Sequence, residues 1–351
     1  MSLLEDKGVN TTPISKLGEF GLIDHLTKEL MVKNPSTIKG VGDDAAVIDI
    51  GDKYQLVSTD LLVEGVHFDL TYTPLKHLGY KSVAVNVSDI CAMNGDAKQI
   101  TIGLAMSNRF TVEALDELYE GINLACAHYG VDVVGGDTTS STSGLMISIT
   151  VLGEEAKENI VYRSGAQVND LVVCTGDLGA AYLGLQLLKR EKDMFVDNPT
   201  IQPDLTGNDY VLKRQLKPEA AVKYTKILKE LEIVPTSMID ISDGLSSEAL
   251  HISKSSEIGI TLHEDKIPVD YTAMNLAAEF NMNPIFCALS GGEDYELLFT
   301  IGQEHYEKLK KDPDFTIVGF VTDISEGNNF IANDGSSHPI TAQGWDAMKN
   351  S

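Results

Sequence analysis

The sequence predicts a two-domain protein of mixed α and β structure, an α+β unit followed by an α/β unit. The chain has 351 residues, more than one hydrophobic core usually needs. Apolar segments of period two alternate with segments of helical period along its whole length. A polar stretch at residues 153–170, GEEAKENIVYRSGAQVND, separates the two halves. We therefore expect domains at residues 1–155 and 156–351.

The first half reads as helices and strands in alternation. Apolar residues from Leu17 to Leu30 recur at helical spacing after Ser15, the expected N-cap, so a helix is expected there. Residues 74–93 look helical at their start, although VAVNV within them alternates like a strand. The other expected elements are strands at 45–50 and 54–59 joined by a hairpin at GDK, a strand at 98–106, a helix at 112–129 and a strand at 145–152.

The second half repeats this alternation. Residues 191–210 are polar and lack periodicity, which indicates a long surface loop. Pro218 near the start of one helical segment is typical of a helix N-terminus. The expected elements are strands at 171–175, 238–242, 296–301 and 316–321, and helices at 178–190, 218–231 and 245–256.

Composition limits the classes of partner. The chain carries 27 Lys and Arg against 52 Asp and Glu, a net charge of −25, which disfavours binding to nucleic acid or to an anionic membrane. No apolar run approaches the roughly 18 residues of a membrane span, and we expect no secretory signal. The four cysteines are scattered without CxxC spacing, so we expect reduced thiols and a cytoplasmic location.

The excess of acid has two explanations, solubility and the binding of divalent cations. Five segments favour the second, because each places aspartate beside Gly, Ser or Thr next to an apolar run that reads as a strand. Carboxylates with neighbouring hydroxyls suit Mg²⁺, whereas any one of these aspartates alone is more simply a turn or cap residue. The segments are GVGDDAAV with Asp43 and Asp44, VSTDLLVEGVHF with Asp60, VNVSDICAM with Asp89, VVGGDTTSS with Asp137, and MIDISDGLSSE with Asp240 and Asp243.

Other chemistries fit less well. GVGDDA matches the G-x-G-x-x-A dinucleotide fingerprint, but a strand and not a helix is expected after it. The chain has no G-x-x-x-x-G-K-[ST] loop and no G-x-S-x-G elbow, and its eight histidines lack zinc spacing. Because metal ions reconcile an acidic protein with an anionic substrate, the residues point to a metal-dependent enzyme acting on a nucleotide polyphosphate. They do not identify the acceptor.

Nine segments together resemble the thiamine-monophosphate kinase family. They occur in the order of that family from Gly18 to Met348, and some of them also occur in aminoimidazole ribonucleotide synthetase, selenophosphate synthetase and a hydrogenase maturation factor. STDLLVEGVHF and GGEDYELLF favour the kinase within that group. The segments are GEFGLI, GVGDDAAVI, STDLLVEGVHF, AVNVSDICAM, GGDTT, YRSGA, IDISDGLSSE, LSGGEDYELLF and GWDAM.

The resemblance implies transfer of the ATP γ-phosphoryl group to thiamine monophosphate, with several Mg²⁺ ions. It also implies a homodimer whose N-terminal sheets pair into a barrel, and a C-terminal α/β domain. Metal-binding positions of the family fall on Asp43, Ser58, Thr59, Asp60, Asp89, Asp137, Asp240 and Asp243, of which Asp60, Asp89 and Asp240 would serve catalysis through metal. ATP-contacting positions fall on Gly136, Arg163 and Ser242, and substrate-contacting positions fall on His67, Glu293 and Trp345.

The implied chemistry agrees with the residues present. The acceptor is a phosphate monoester with a second pKa of about 6, so it needs no general base. Arg163 suits a phosphate, and Trp345 could stack on a thiazolium ring, although a surface arginine and a capping ring are the simpler interpretations. His67 beside Phe68 reads, by itself, as a core histidine. Of the two adjacent aspartates, we expect Asp43 to join Asp89 and Asp240 and Asp44 to stabilise the bend, since neighbouring side chains diverge on an extended chain.

Three departures from the family pattern stand out. Ser140 and Ser141 follow GGDTT where the family often has Arg, Glu248 stands where Asp is usual, and residues 191–210 look like an insertion. The alternatives are another ATP-dependent synthetase of the same superfamily and a non-catalytic protein that binds Mg²⁺ and nucleotide. The first cysteine, Cys91, lies in an apolar run, and the chain ends AMKNS, which argues against the selenophosphate and hydrogenase branches.

Overall fold

Two β-sheets form the framework of the protein in the computed structural model, which describes residues 12–200 and 202–342. The first sheet has six strands and comes entirely from the first half of the chain. Its strands are β1 (Thr37–Lys39), β2 (Ala46–Asp49), β3 (Lys53–Val63), β4 (Asp96–Met106), β5 (Asp132–Ser140) and β6 (Met146–Ala156). The spatial order is β1-β2-β3-β6-β4-β5, and β4 with β5 is the parallel pair. The predicted β2–β3 hairpin is confirmed.

The second sheet has seven strands. They are β7 (Leu171–Thr175), β8 (Ser237–Asp240), β9 (Gly259–His263), β10 (Leu297–Ile301), β11 (Phe315–Thr322), β12 (Asn329–Ile331) and β13 (Ser337–Pro339). The order is β13-β12-β9-β11-β7-β10-β8, with antiparallel pairing except between β12 and β9. The expected α/β unit therefore mixes helices and strands, but its sheet is largely antiparallel.

Helices cover these sheets. They are α1 (Gly18–Thr27), α2 (Leu75–Ala92), α3 (Val112–Tyr129), α4 (Ala180–Asp197), α5 (Asp209–Leu216), α6 (Val222–Glu230), α7 (Leu245–Ser256), α8 (Tyr271–Glu279), α9 (Pro284–Ser290) and α10 (Tyr306–Leu309). The expected bounds of α3 and α7 are confirmed. Thr111 caps α3 through the Ala114 N–H, and left-handed Gly130 ends it. Within the described ranges, no helix is long and apolar enough to cross a bilayer.

Helix α2 lies at the centre of the molecule, packed between α3, the first sheet and β8. Two glycines make the α2–α3 contact close: a Cβ on Gly79 would lie 2.0 Å from the Leu118 carbonyl oxygen, and one on Gly121 would lie 1.9 Å from that of Lys76. Most of α2 is buried on all sides. This burial explains why VAVNV resembled a strand, since a helix without a polar face loses its amphipathic period.

Several expected element bounds were wrong. Ser15 lies inside a short 3₁₀ turn and does not cap α1, which ends at Thr27 and leaves Leu30 outside it. Pro218 lies four residues before α6 begins. The loop expected at 191–210 is shorter than predicted, because α4 continues to Asp197 and α5 starts at Asp209. Glu191 is buried in α4 and accepts a hydrogen bond from the Asp204 N–H at 2.9 Å, which ties down the connecting segment.

Candidate active site

Three carboxylates from distant parts of the chain meet at the inner side of the first sheet. Oxygens of Asp44, Asp89 and Asp240 lie within 4.8 Å of one another. Asp44 precedes β2, Asp89 lies in α2, and Asp240 ends β8. These three residues, with Asp60 of β3, are called the acidic cluster below. It joins both sheets through the central helix.

Asp60 belongs to the cluster on electrostatic grounds. Burial raises the pKa of Asp60 to about 6. Burial, and then the charge of Asp60, raise the pKa of Asp89 well above its usual range. Burial and the charge of Asp44 raise the pKa of Asp240 to about 7. Burial raises the pKa of all four carboxyl groups, and neighbouring carboxylates raise those of Asp89 and Asp240 further, so the site favours compensating positive charge.

Hydroxyl and amide groups orient the cluster. Ser58 Oγ donates to Asp89 Oδ2, and Ser88 Oγ donates to Asp240 Oδ2, both at 2.6 Å. The Asn86 side-chain oxygen accepts from the Asp60 N–H at 3.1 Å. Ser58 was predicted as a site residue, whereas Ser88 and Asn86 were not. Their signal in the sequence was polarity inside the buried AVNVSD segment of α2.

The two adjacent aspartates are arranged the other way round from our expectation. Asp44, not Asp43, lies with Asp89 and Asp240. Arg163 binds Asp44 through two hydrogen bonds, Nε to Oδ2 at 3.1 Å and Nη2 to Oδ1 at 2.6 Å. Asp43 Oδ1 accepts from the Asp44 and Arg163 N–H groups, so Asp43 stabilises the bend. The two side chains diverge, as expected, but Arg163 from the segment before β7 draws Asp44 inward.

Asp43 nevertheless keeps one unusual feature. Its Oδ2 is buried without a hydrogen-bond partner among the described residues, although Lys39 Nζ lies 3.6 Å away. Burial and the neighbouring charge of Asp44 raise the pKa of Asp43 to about 6. Asp43 therefore stays a candidate for cation binding beside the cluster.

Asp137 and Thr59 lie on the opposite face of the first sheet. Across the sheet, Asp60 pairs with Ile149, Ile149 pairs with Ile102, and Ile102 pairs with Gly136. Side chains at paired positions point to the same face and those of neighbouring residues point to opposite faces, so Asp137 points the other way from Asp60. With three strand spacings between β3 and β5, the lateral separation is about 14 Å. Thr59 Oγ1 donates to the Ile149 carbonyl on β6.

Two further expectations concern backbone positions. A Cβ on Gly136 would lie 2.0 Å from the Ile102 carbonyl oxygen, so strand packing alone requires glycine there. Ser242 and Asp243 follow β8, and their N–H groups donate to Glu248 Oε1 at 2.9 and 2.7 Å. Glu248, the departure from the family pattern, thus shapes the segment after Asp240. Burial and the charge of Asp243 raise the pKa of Glu248 well above its usual range.

The sequence pattern of these aspartates was misjudged in part. Only Asp240 ends a strand. Asp60 and Asp137 lie in the middle of strands, and Asp89 lies in a helix. The edge of a sheet therefore does not assemble the cluster. Helix α2 does so, because it is buried against both β3 and β8.

A second group of polar residues surrounds His67 and Glu293. Glu293 Oε1 lies 2.6 Å from Lys81 Nζ, and Gln215 Nε2 donates to Glu293 Oε2 at 2.8 Å. The Val63 N–H donates to His67 Nδ1 at 3.0 Å, and burial lowers the pKa of His67, so the neutral ring carries its proton on Nε2 at neutral pH. Trp345 lies outside the described residues.

The two groups share one boundary. The Glu293 N–H donates to the Ser242 carbonyl and the Tyr295 N–H donates to the Ile241 carbonyl, at 2.7 and 2.9 Å. Burial and the charges of Glu293 and Asp60 raise the pKa of Tyr295 well above its usual range. The acidic cluster and the Glu293 group are therefore adjacent parts of one site.

The donor set of the acidic cluster fits a hard divalent cation. Among the described residues, the Arg163 guanidinium pairs with Asp44 and no other salt bridge reaches the cluster, so its remaining carboxylates lack a compensating charge when ionised. Oxygen ligands of this kind suit Mg²⁺, which binds through carboxylates and shares its remaining positions with water and phosphate.

Comparison with known proteins identifies relatives over most of the chain. Residues 42–154 match the family model described as AIR synthase related protein, N-terminal domain. The chain is 33% identical over 339 residues to the thiamine-monophosphate kinase of Bacillus subtilis, which covers 95% of this chain and 100% of that protein. It is 34% identical over 332 residues to the thiamine-monophosphate kinase of Aquifex aeolicus, with 95% and 98% covered.

Solved structures give the same picture. The structure described as "AaThiL complexed with AMPPCP and TMP" superposes with a TM-score of 0.80 at 33% identity, covering 96% of this chain and 99% of that one. The crystal structure of thiamine monophosphate kinase from Aquifex aeolicus superposes with a TM-score of 0.73 at 31% identity, with 91% and 98% covered. The hydrogenase maturation protein HypE in complex with ATP, at 17% identity and a TM-score of 0.67, shares the fold alone.

Proposed function

Because the chain belongs to the thiamine-monophosphate kinase family, we infer that it is the ATP-dependent kinase that converts thiamine monophosphate to thiamine diphosphate. The observation that carries this inference is a match to thiamine-monophosphate kinases over 95% of the chain. Within this chain, Asp44, Asp89 and Asp240 lie close enough together to hold a metal ion. A related structure of the same fold binds AMPPCP and TMP. Both substrates of the proposed reaction are thus represented in a close structural relative.

The proposed reaction requires the site to bring two anions together. The acceptor phosphate is already largely ionised at neutral pH, so no side chain has to remove a proton from it. The contribution of the protein is then positioning and charge compensation. This accounts for a site rich in carboxylates in which His67, held neutral by burial, is the one histidine predicted to contact substrate.

We propose that Asp44, Asp60, Asp89 and Asp240 hold Mg²⁺, with Asp43, Ser58 and Asp243 as further candidates beside them. When bound, Mg²⁺ neutralises phosphate oxygens and the charge that develops on them during transfer. The buried, mutually repelling carboxylates of the cluster support this assignment. Thr59 and Asp137 remain candidates that the same chain holds apart from the cluster.

The remaining roles divide between nucleotide and acceptor. We propose Gly136, Arg163 and Ser242 for ATP, and His67, Glu293 and Trp345 for thiamine monophosphate. The position of Arg163 supports its assignment to ATP, because its guanidinium lies at the acidic cluster, where a polyphosphate would bind. A phosphate that binds Arg163 would compete with Asp44 for the same donors.

We propose that the chain forms a homodimer through its first sheet and has domains at 1–155 and 156–351. Strand β5 is an edge strand along which every residue is exposed, including Val133 and Val134. Such an edge is a template for pairing with another strand, which supports a barrel shared by two copies. The end of the first sheet at Ala156 and the start of the second at Leu171 support the division.

We also propose a cytoplasmic location. Cys91, Cys126, Cys174 and Cys287 are all free and buried. Unpaired thiols of this kind are typical of a reducing compartment.

The direct test is turnover of ATP and thiamine monophosphate by the purified protein with excess Mg²⁺. We expect thiamine diphosphate and ADP in equal amounts, and no product after addition of a chelator. Faster ATP consumption with formylglycinamidine ribonucleotide would instead assign the purine branch. Tight ATP binding in calorimetry without any product from either acceptor would overturn the kinase and favour a non-catalytic nucleotide-binding protein.

A further inference from the structure

The segment after α9 has a strained backbone beside the acidic cluster. Residues 291–296, called the Glu293 loop here, contain two non-glycine residues in the left-handed region, Glu293 at φ 62° and Tyr295 at φ 53°. Side chains disfavour this region, and such conformations persist where the surroundings impose them. Contacts of the loop therefore show what holds Glu293 in place.

Two buried side chains hold the Glu293 carboxylate. Lys81 of α2 lies 2.6 Å from Oε1, and Gln215 of α5 donates to Oε2 at 2.8 Å. Lys81 Nζ also donates to the Gln215 carbonyl at 3.3 Å, which connects the two. The Lys81 side chain is 3% exposed, whereas 28% of the Glu293 side chain stays exposed. A ligand can therefore contact the Glu293 carboxylate directly, whereas Lys81 is buried and acts on a ligand through Glu293.

Helix α5 fixes the rest of the loop. Arg214 donates through Nη1 to Glu296 Oε1 at 2.7 Å and through Nη2 to the Asp294 carbonyl at 3.2 Å. Asp294 Oδ2 accepts from the Gly179 N–H at 2.8 Å. Consecutive residues of α5, Arg214 and Gln215, thus bind the loop at neighbouring points. Helix α5, which starts at the end of the expected insertion at residues 191–210, therefore contacts the active site.

Backbone contacts relate this arrangement to the cluster. The loop is hydrogen-bonded to Ile241 and Ser242, which directly follow Asp240. A change in the Glu293 carboxylate would leave these backbone bonds in place. Substitution of Lys81 or Gln215, which hold this carboxylate, should therefore weaken binding of the acceptor more than binding of the metal or the nucleotide.

We propose that Lys81 and Gln215 are positioning residues that orient the Glu293 carboxylate toward a cationic heteroaromatic acceptor. This inference rests on the proposed function. Lys81 compensates the charge of Glu293 in the buried site, and Gln215 fixes its second oxygen. The exposed side of the carboxylate is then aligned for hydrogen bonding or charge pairing with the acceptor before it binds.

The test measures both KM values in Lys81→Met, Lys81→Arg and Gln215→Met. Lys81→Met should raise the KM for thiamine monophosphate by about tenfold while changing the KM for ATP by less than about twofold. Lys81→Arg should recover much of this loss, because it restores the charge. Lys76→Met is the matched control, since Lys76 lies on the same helix but is exposed.

The outcomes separate the inference from the proposed function. If the wild-type protein does not phosphorylate thiamine monophosphate, the proposed function fails. If the wild type is active and Lys81→Met leaves the KM for thiamine monophosphate unchanged, or raises both KM values equally, the inference is overturned. If Lys81→Met does not fold, calorimetry of Gln215→Met with thiamine monophosphate decides the question. A higher Kd than that of the wild type supports the inference, and an unchanged Kd contradicts it.

Discussion

The two faces of the first sheet carry the same residue type under different conditions. On the inner face, the charge of Asp60 acts on Asp89, which lies with the buried carboxylates of Asp44 and Asp240. On the outer face, Asp137 lies on an exposed edge strand, about 14 Å away across three strand spacings. A single chain can thus assemble most of the predicted metal ligands but does not bring Asp137 or the Thr59 side chain to them. In the proposed homodimer, Asp137 would serve a site that a second copy completes.

The largest effect is expected on the inner face. Asp60→Asn should lower turnover by about 10³-fold, because losing a metal ligand removes about 4 kcal/mol of transition-state stabilisation. The variant should still fold, since it removes one of several repelling charges. Steady-state kinetics and circular dichroism check both points, with Asp52→Asn in the exposed hairpin turn as control. Near-wild-type turnover would remove Asp60 from the metal site.

The edge strand β5 is tested through self-association. Val134 is 56% exposed on β5, and Val134→Asp places a charge on the edge strand, which opposes pairing with another strand. We expect a monomer in analytical ultracentrifugation and a loss of activity of tenfold or more. Val112→Asp, an exposed position at the start of α3, should leave both unchanged. An unaltered sedimentation coefficient for Val134→Asp would place the dimer contact elsewhere.

The acidic cluster should also make cation binding depend on pH. Burial raises the pKa of Asp60 to about 6 and of Asp240 to about 7, both above the ordinary value of 3.8. Protonation of these two carboxyl groups therefore stabilises the folded protein when no metal is bound. This stabilisation is complete below pH about 4 and is lost as the pH rises through 6 to 7. Because Mg²⁺ competes with these protons, it should raise Tm by several degrees more at pH 8 than at pH 6.

Differential scanning fluorimetry with and without Mg²⁺ at both pH values measures this effect. Asp60→Asn should show a smaller difference between the two pH values. An equal or larger Mg²⁺ shift at pH 6 would contradict the assignment of the cluster as the cation site.

The smallest effect separates packing from ATP binding on strand β5. Gly136→Ala should destabilise the fold by about 2 kcal/mol, because its Cβ would lie 2.0 Å from the Ile102 carbonyl oxygen. Gly135→Ala should be nearly neutral, as its nearest neighbour is 3.9 Å away. Urea unfolding gives both values. Equal stability of the two variants would show that β5 yields locally, leaving ATP contact as the reason for glycine at 136.

Sequence patterns predicted long periodic elements well and the arrangement of the site less well. Helices α3 and α7 were placed correctly because their apolar periodicity, and for α3 its Thr111 cap, are local signals. Which of Asp43 and Asp44 turns inward was predicted wrongly, because the answer depends on Arg163, about 120 residues away. The strand-like VAVNV segment of α2 was ambiguous for the same reason, since burial on every side is set by tertiary packing.

The Glu293 group shows the same limit. Glu293 itself was found through its resemblance to a known family, but Lys81 and Gln215 were not. A lysine within an apolar run was a usable signal, since an unpaired lysine is rarely buried. Its partner, however, lies more than 200 residues away in sequence.

The most direct measurement is the activity of mixed subunits. Asp60→Asn and Asp137→Asn are each purified and then mixed in equal amounts under conditions that allow exchange. If Asp137 serves the acidic cluster of the partner subunit, half of the dimers are mixed and each has one intact site, so activity should recover to about a quarter of wild type. No recovery, with exchange verified by mass spectrometry, would mean that both aspartates act within one chain and would contradict the account.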